Sequence, residues 1–325
     1  MTPDLFHRLV DHAARAPSVH NVQPARWRQD GDGILLLEDR TRRLAVGDPS
    51  GHDAALSLGA AAEGLVIAAS AEGLRAHVTQ LDPAETGEHQ ACARITFTPG
   101  AAPDPLLAAV AARRSWRGAF RPPGEADRRA AADLASDDCH PVTAASDIAA
   151  IATLYDQASL GFMRDPAFRA ELLGWMRLSP RNPRWPLDGL NAAAMHLGRL
   201  ERWGAGLLMG RAFGVIARLG LAPPLLSEKA KTATSSAIVV FHRPISETAF
   251  DHGRAFYRAW LRMEAADFGA AVLAALADDP SAAPAVTDRV PLPPGHRLVS
   301  AFRIGRRPDH VPVPRARRPQ RERLG

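Results

Sequence analysis

Apolar positions in the first hundred residues recur with the spacing of helices and strands in a readable order. Leu5, Leu9 and Ala13 form one face of a helix that Thr2 and Pro3 begin. The stretch Ala54–Glu72 is apolar almost all round and stops at Gly73, which predicts a buried central helix. Alternating or apolar runs predict strands at Ala25–Gln29, Ile34–Asp39, Arg75–Gln80 and Ala91–Thr98, the first two joined by a hairpin turn at Asp30-Gly31-Asp32-Gly33.

A second set of elements follows in a similar order. A helix starting at Asp104-Pro105 leads into Arg113, and the long helix near His252–Leu276 matches the earlier central helix. The remaining predicted elements are helices near Glu125–Ser136 and Asp147–Gln157 and strands at Ala237–His242 and Leu298–Ile304. The repeated order predicts two related half-domains that share one core, residues 1–103 and 104–325.

Two segments of the second half stand outside this repeat. Residues 160–232 form a helical insertion that prolines divide into pieces, and we expect most of its large apolar residues to pack a small subdomain: Trp175, Met176, Trp185, Met195, Trp203, Leu207, Leu208 and Met209. The alternative is a lid over a ligand, a common use of long insertions. Residues 308–325 are rich in proline and arginine and predict an extended arm without its own core.

Composition narrows the class of protein. Of the 325 residues, 46% are hydrophobic, enough for a large core, and the net charge of +5 comes almost entirely from arginine. Acidic residues interleave with the arginines, so we expect no nucleic-acid partner. The arginine-bearing stretch Gly204–Leu221 could contact a membrane surface, but we favour its burial in the core and expect no membrane partner. With no signal segment and only Cys92 and Cys139, we expect a soluble cytoplasmic protein.

Several common site classes are missing from the sequence. The glycines Gly204, Gly206 and Gly210 lack the spacing of a dinucleotide fingerprint and follow no predicted strand. No P-loop, HExxH or G-x-S-x-G pattern occurs, and the twelve histidines show no metal-ligand spacing, so no metal site is predicted.

The segment Ala16-Pro17-Ser18-Val19-His20-Asn21-Val22-Gln23-Pro24 is the first of two motifs with chemical potential. Asn21 and Gln23 bring two amides within three residues, and amides both donate and accept hydrogen bonds, as the polar edge of a flavin ring requires. Pro17 and Pro24 stiffen the segment at both ends. The alternative is a polar loop that caps the next strand.

The second motif is Arg113-Arg114-Ser115-Trp116-Arg117. In an extended segment Arg113, Ser115 and Arg117 point the same way, so two guanidinium groups and a hydroxyl would converge on one anion such as a flavin phosphate. Arg315 and Arg317 of the arm could complete that site. The alternatives are a solvated basic turn after a helix and a solvated tail.

Together the two motifs resemble those of the nitroreductase family, A-P-S-x-x-N-x-Q-P and R-R-S-x-R. In the usual family member the arginine motif comes first, and two chains pair to hold flavin at their interface. Here each half carries only one of the two motifs, which resembles the single-chain tandem members called Acg-like. The resemblance implies an α+β, nitroreductase-like fold in which mixed sheets are surrounded by helices and two half-domains form an internal pseudo-dimer.

The resemblance also implies a cofactor and the residues that bind it. The cofactor is FMN, at one per chain, with NADH or NADPH as electron donor. Ser18, His20, Asn21 and Gln23 would hold the ring and its side chain, and Arg113, Arg114, Ser115 and Arg117 would hold the ribityl-phosphate with Arg315 or Arg317. The protein would be a monomer, as an internal pseudo-dimer, or a further homodimer.

The implied function is an oxidoreductase that passes electrons from reduced nicotinamide through the flavin to a small organic acceptor, such as a nitroaromatic or quinone. Because the flavin carries the chemistry, no catalytic side chain is assigned. Two alternatives remain: a flavin-sequestering protein with a blocked site, and a flavin-dependent oxidase or dehydrogenase of a larger metabolite.

Overall fold

The fold consists of helices packed around two antiparallel sheets. The computed structural model describes residues 1–82, 87–210, 212–309, 311 and 313–325; the side chains of Leu207 and Leu208 also lie outside that description. The helices are α1 Pro3–Ala13, α2 His52–Ala71, α3 Leu107–Ala112, α4 Glu125–Ala132, α5 Ala145–Arg164, α6 Pro166–Trp175, α7 Arg199–Met209, α8 Phe213–Arg218, α9 Ala222–Leu226, α10 Lys229–Thr232, α11 Ala249–Ala265, α12 Ala275–Asp278 and α13 Ala282–Arg289. The strands are β1 Ala25–Asp30, β2 Gly33–Asp39, β3 Leu74–Gln80, β4 His89–Pro99, β5 Cys139–Val142, β6 Met176–Arg177, β7 Leu190–Asn191, β8 Ala237–Pro244, β9 Gly269–Val272 and β10 His296–Gly305.

The two four-stranded sheets share one topology. The first has the order β1-β2-β4-β3 and the second β5-β8-β10-β9, so in each the first strand pairs with the second, and the fourth lies between the second and the third. A long helix, α2 or α11, connects the second strand to the third in both. The strand order therefore repeats along the chain, whereas the division into half-domains at residues 1–103 and 104–325 stays a prediction. The strands of both four-stranded sheets pair antiparallel. At one edge of each sheet an isolated parallel bridge, Trp27 with Leu324 or Ser115 with Ala270, adds parallel pairing.

Helices α2 and α11 cross at the centre of the molecule, where two glycines allow their backbones to touch. A Cβ on Gly59 would lie 1.9 Å from the carbonyl oxygen of Phe250, and one on Gly253 would lie 2.0 Å from that of Leu56. Helix α2 is long and apolar enough to cross a membrane by length and composition, but 72% of that stretch is buried. Its apolar surface is therefore used in the core between the halves.

We expect Gly253→Ala to lower the free energy of unfolding by roughly 1–3 kcal/mol, because the new methyl group meets backbone that cannot move aside. In an open helix the same change stabilises by up to about 1 kcal/mol. Gly204→Ala in α7 is the matched control, since a Cβ added there would have no heavy atom within 4 Å. Urea titrations of both variants measure the difference, and equal effects would contradict the close crossing.

The C-terminal arm returns to the first sheet. The Trp27 N–H donates to the carbonyl oxygen of Arg323 at 2.8 Å, and the Gly325 N–H donates to that of Trp27 at 2.9 Å. Ala316 and Arg318 are buried. The arm ties the end of the chain to the edge of β1 and contains one short 3₁₀ turn, Gln320–Glu322, among its described residues. Residues 310 and 312 lie outside the described part.

The insertion packs only some of the residues expected to form its core. Leu172, Leu190 and Met209 are buried together, and Met195 packs against them. Trp203, in contrast, is 72% exposed, which corrects the expectation for that residue. Leu207 and Leu208 lie outside the described side chains.

Candidate functional site

One cavity of about 380 Å³ brings both sequence motifs together. Residues 17–21 and the start of α2 form one side, and Arg113, Arg114, Ser115 and Arg117 form another. Helices α5 and α11 and residues 313–317 of the arm complete the wall. Motifs that are far apart in sequence therefore face one shared space between the two halves, within the size range of small-molecule sites.

The first motif has an unusual backbone. His20, Asn21 and Gln23 have φ values of 42°, 55° and 55°, in the left-handed region that residues other than glycine seldom adopt. Hydrogen bonds hold this shape: the Gln23 N–H donates to Ser18 Oγ at 3.0 Å, and the Val19 N–H donates to Ser57 Oγ of α2 at 3.1 Å. Backbone strain of this kind clusters at functional sites, which favours a binding role over a simple strand cap.

The two amides of this motif contact other parts of the chain. Asn21 lines the cavity; its Oδ1 accepts from Arg317 Nη1 at 2.8 Å, and its Nδ2 donates to the carbonyl oxygens of Gly189 and Ala316, both at 3.3 Å. Gln23 is buried behind the wall, where its Nε2 donates to the Leu187 carbonyl at 2.8 Å and its Oε1 accepts from the Arg318 N–H at 3.0 Å. Gln23 thus joins the loop to the insertion and the arm, and it does not line the cavity.

Four arginines gather at one end of the cavity: Arg113, Arg114, Arg315 and Arg317. Their hydrogen bonds go mainly to backbone carbonyls, such as Arg113 Nη2 to Arg15 at 3.0 Å and Arg317 Nη2 to Ala16 at 3.1 Å. Arg113 also lies over the ring of Trp260, 4.5 Å from its centroid. Among the described residues, none of the four forms an ion pair with a carboxylate within 4.0 Å.

The pKa values reflect this crowding of like charges. Burial lowers the pKa of Arg315 to about 9, and the charges of Arg113 and Arg114 contribute to that lowering. Burial and the charges of Arg113 and Arg315 also hold the pKa of Arg317 well below its ordinary value. A bound anion would relieve both effects, because it would compensate the buried positive charge.

Arg117 lies apart from that cluster, so the motif does not focus its arginines on one spot as expected. Ser115 forms a parallel bridge with Ala270, and the Trp116 N–H donates to the Ala270 carbonyl at 2.8 Å, so the motif runs along β9. The charged and phenolic groups that act most strongly on Arg117 are Glu228 and Tyr155, whereas those acting on Arg113 are Tyr257 and Glu264.

Arg117 lines the cavity, and its side chain has no hydrogen-bond partner in the described part of the chain. Burial lowers its pKa. Burial and the charge of Arg117 lower the pKa of His20 to about 4, so His20 is neutral near pH 7. The cavity therefore holds a second donor group, separate from the arginine cluster.

Two carboxyl groups that the sequence analysis did not identify also line the cavity, Asp53 of α2 and Asp278 of α12. Burial raises the pKa of Asp53 to about 7, and Asp278 and Asp48 add to the effect. Burial and Asp48 raise the pKa of Asp278 to about 6. Each lies near a helix end, where acidic residues are common, so no local signal indicates that the fold brings them together.

We expect Asp53→Asn to raise Tm more at pH 8 than at pH 5. Because folding raises the pKa of Asp53 from its ordinary value of about 4 to about 7, the cost to stability builds as the pH rises between those two values; only part of it is present at pH 5, and all of it is present above about pH 7. Asp32→Asn, in the exposed hairpin turn, is the control. Thermal unfolding at the two pH values measures the effect, and a Tm gain that is the same at both would contradict the raised pKa.

Known proteins were compared with this chain in sequence and in structure. No family model matches the sequence. The curated protein "Putative NAD(P)H nitroreductase acg" of Mycobacterium tuberculosis is 28% identical over 253 residues, which cover 73% of this chain and 71% of that protein. "Putative NAD(P)H nitroreductase Rv3131" of the same organism is 34% identical over 109 residues, 33% of this chain and 32% of that protein.

Solved structures with detectable similarity include a protein from Anabaena variabilis described as a "putative nitroreductase", at 10% identity and a TM-score of 0.46, which covers 94% of this chain and 88% of that one. The FMN-dependent nitroreductase NfnB from Mycobacterium smegmatis, in complex with NADPH, has 18% identity and a TM-score of 0.36, covering 65% of this chain and 92% of that one.

Proposed function

We propose that this chain belongs with the nitroreductases named among its curated relatives and is an FMN-dependent oxidoreductase that passes electrons from NADH or NADPH to a small organic acceptor. Nitroaromatics and quinones are the expected acceptor classes. The observation that carries the proposal is a cluster of buried and half-buried arginines without a paired carboxylate among the described residues, at one end of a cavity between the halves.

The arginine cluster fits the phosphate of FMN. A phosphate dianion accepts several charge-assisted hydrogen bonds, and arginine guanidinium groups are well suited to donate them. Arg113, Arg114, Arg315 and Arg317 would supply that positive charge, with the Ser115 hydroxyl on the same wall. Orphaned buried Nε atoms on Arg113 and Arg315 show that this end of the cavity has unused donor capacity.

The apolar part of the cavity lining suits a flat, largely apolar ring. Leu56 of α2, Trp260 of α11 and Val272 of β9 line it, and they come from both halves of the fold. The apolar lining also excludes water from the space next to the ring, which strengthens electrostatic contacts there. The cofactor would thus lie between the halves, one per chain.

Arg117 fits the electron-rich edge of the ring and not the phosphate. When bound, FMN supplies hydride and electron transfer, and its reduction places negative charge on the pyrimidine part of the ring. The Arg117 guanidinium, free of protein hydrogen bonds within the described residues and next to neutral His20, would stabilise that charge. Ser18, Asn21 and Gln23 would act mainly by holding the strained loop and Arg317 in place.

A flavin-dependent oxidase or dehydrogenase of a larger metabolite is the second candidate. Phe162 and Met163 of α5 and Phe168 and Leu172 of α6 extend the cavity wall into the insertion. This apolar region leaves room for a substrate beyond a simple nitro compound.

The test is the visible absorption spectrum of the purified protein after incubation with FMN, followed by anaerobic addition of NADH or NADPH. We expect about one FMN per chain, prompt bleaching by the nicotinamide, and recovery of the oxidised spectrum when a nitroaromatic or quinone is added. Retention of flavin without bleaching would overturn the reductase assignment in favour of sequestration or a different electron donor. Absence of flavin binding would overturn the cofactor assignment itself.

A further inference from the structure

The exposed apolar side chains of this protein are concentrated in one place. Nine large hydrophobic residues are exposed among those described, and six of them fall between residues 200 and 225: Leu200, Trp203, Val215, Leu219, Leu221 and Leu225. Leu200 is 85% exposed and Trp203 is 72% exposed. Single exposed apolar residues are ordinary, but a concentration of this kind marks an interaction surface.

Within each of these helices, the exposed apolar residues are spaced about one helical turn apart. Leu200 and Trp203 are one turn apart on α7, and Val215 lies one turn before Leu219 at the end of α8. Leu221 and Leu225 repeat the spacing at α9. We call this surface the outer face of α7–α9. Its helices have an inner side too, where Met209 and Phe213 are buried.

The charges around the outer face have one predominant sign. Residues 199–226 contain four arginines and one acidic residue, Glu201. Arg199 and Arg218 are exposed beside the apolar side chains, and Arg202 is partly exposed. Two copies of the face pressed together would bring like charges close, which disfavours a symmetric dimer through this surface.

We propose that the outer face of α7–α9 docks on a membrane surface that carries anionic lipids. The exposure of Val215, Leu219 and Leu221 corrects the expectation that Gly204–Leu221 is buried in the core, and the proposal replaces the expectation of no membrane partner. Tryptophan and leucine on one side of a helix, flanked by arginine, are the side chains that insert at the level of lipid headgroups. Anionic headgroups would supply the negative charge that pairs with these arginines, an attraction that acts only close to the membrane surface. The docking is peripheral, and the buried helix α2 takes no part in it.

The position of the face connects it to the cavity. Met209 of α7 packs in the same small core as Phe168 and Leu172 of α6, and those two side chains also line the cavity. Docking would hold the apolar wall of the cavity near the lipid phase. The proposal itself stands independently of the proposed oxidoreductase function, because it concerns the opposite side of these helices.

The test is co-sedimentation of the 325-residue chain, with and without FMN, with two kinds of vesicle. One kind is phosphatidylcholine alone and the other contains about a third phosphatidylglycerol. We expect binding to the anionic vesicles that weakens with added salt, because the attraction is partly electrostatic. The double variant Trp203→Ser with Leu219→Ser should reduce the partition coefficient by about tenfold or more. Arg199→Glu with Arg218→Glu should do the same without removing an apolar side chain.

Control substitutions separate docking from damage to the fold. Val46→Ser and Ile245→Ser remove exposed apolar side chains outside this face and should leave vesicle binding unchanged. Circular dichroism and Tm identify any variant that has lost its fold. If the Trp203→Ser with Leu219→Ser variant has done so, vesicle binding by the charge-reversal variant tests the proposal instead, since both of its positions are exposed.

No binding to anionic vesicles by the wild-type protein would overturn the proposal. Self-association that only the outer-face variants abolish, without vesicle binding, would overturn it in favour of a dimer interface. Flavin binding and bleaching are measured separately, so either proposal can fail alone.

Discussion

Replacing Asp188 with asparagine should lower the free energy of unfolding by about 3–5 kcal/mol, the range for breaking a buried ion pair on one side. Asp188 is fully buried, and its carboxylate accepts hydrogen bonds from Arg177, Arg184 and Arg42. Arg42 follows β2, whereas Asp188 and its other two partners belong to the insertion. Loss of the carboxylate would leave three guanidinium groups close together without their anion.

The pH dependence of this loss has a definite sign. Burial opposes ionisation of Asp188, but the hydrogen bonds from the three arginines prevail and lower its pKa to about 2. A lowered pKa contributes stability that is present above the ordinary value near 4 and disappears as the pH falls through 2. The difference in the free energy of unfolding between wild type and variant, measured by urea titration, should therefore be largest at pH 7 and shrink as the pH approaches 2. Asp147→Asn, which breaks a 3.8 Å pair with Arg289 between half-exposed side chains, is the control and should cost less than about 1 kcal/mol.

Replacing Arg315 with glutamine should weaken FMN binding by roughly 10- to 150-fold, which corresponds to about 1.5–3 kcal/mol for a charge-assisted contact. Riboflavin, which lacks the phosphate, should bind the variant and the wild type almost equally. The protein without flavin should gain stability, because the change removes a buried charge that Arg113 and Arg114 repel. Fluorescence titration with both flavins and thermal unfolding without flavin measure the three effects.

The prediction for Arg315→Gln is specific because the affinity for FMN should fall while the stability of the flavin-free protein should rise. Loss of affinity for FMN and riboflavin alike, together with lower stability, would indicate that Arg315 supports the fold and does not bind phosphate. Arg321→Gln, an exposed position on the same arm, is the matched control and should change neither quantity.

The long elements of the fold could be predicted because their patterns are strong. Helix α2 begins at His52 and ends at Ala71, close to the predicted Ala54–Glu72, and β8 begins at Ala237 as predicted. Short edge strands could not be predicted: β5 and β9 have four residues each, and their strand geometry comes from pairing with β8 and β10. The helix predicted to run to Leu276 ends at Ala265, because Asp267 adopts a φ of 61° and the chain then turns into β9.

The sequence motifs identified most of the polar residues that line the cavity but not their arrangement, and the cofactor-binding role of these residues stays a prediction. Ser18, His20, Asn21 and the arginines of the second motif all line one cavity, together with Arg315 and Arg317. Arg117 lies apart from Arg113 because Ser115, between them, pairs with Ala270. Those two residues are 155 positions apart in the sequence, so no local pattern predicts the pairing. Gln23 does not line the cavity because its amide forms hydrogen bonds with Leu187 of the insertion and Arg318 of the arm. No local sequence pattern specifies where those two segments lie.

The crossing of α2 and α11 joins two halves that are parts of one polypeptide. Covalent linkage keeps their effective concentration high, so the cavity between them persists at any dilution of the protein. It also frees the halves to diverge: a substitution occurs once per molecule, whereas in a pair of identical chains it would alter both cavities. One half could thus keep the strained polar loop while the other kept the arginine motif, and a single asymmetric pocket could specialise without any need to preserve its mirror site.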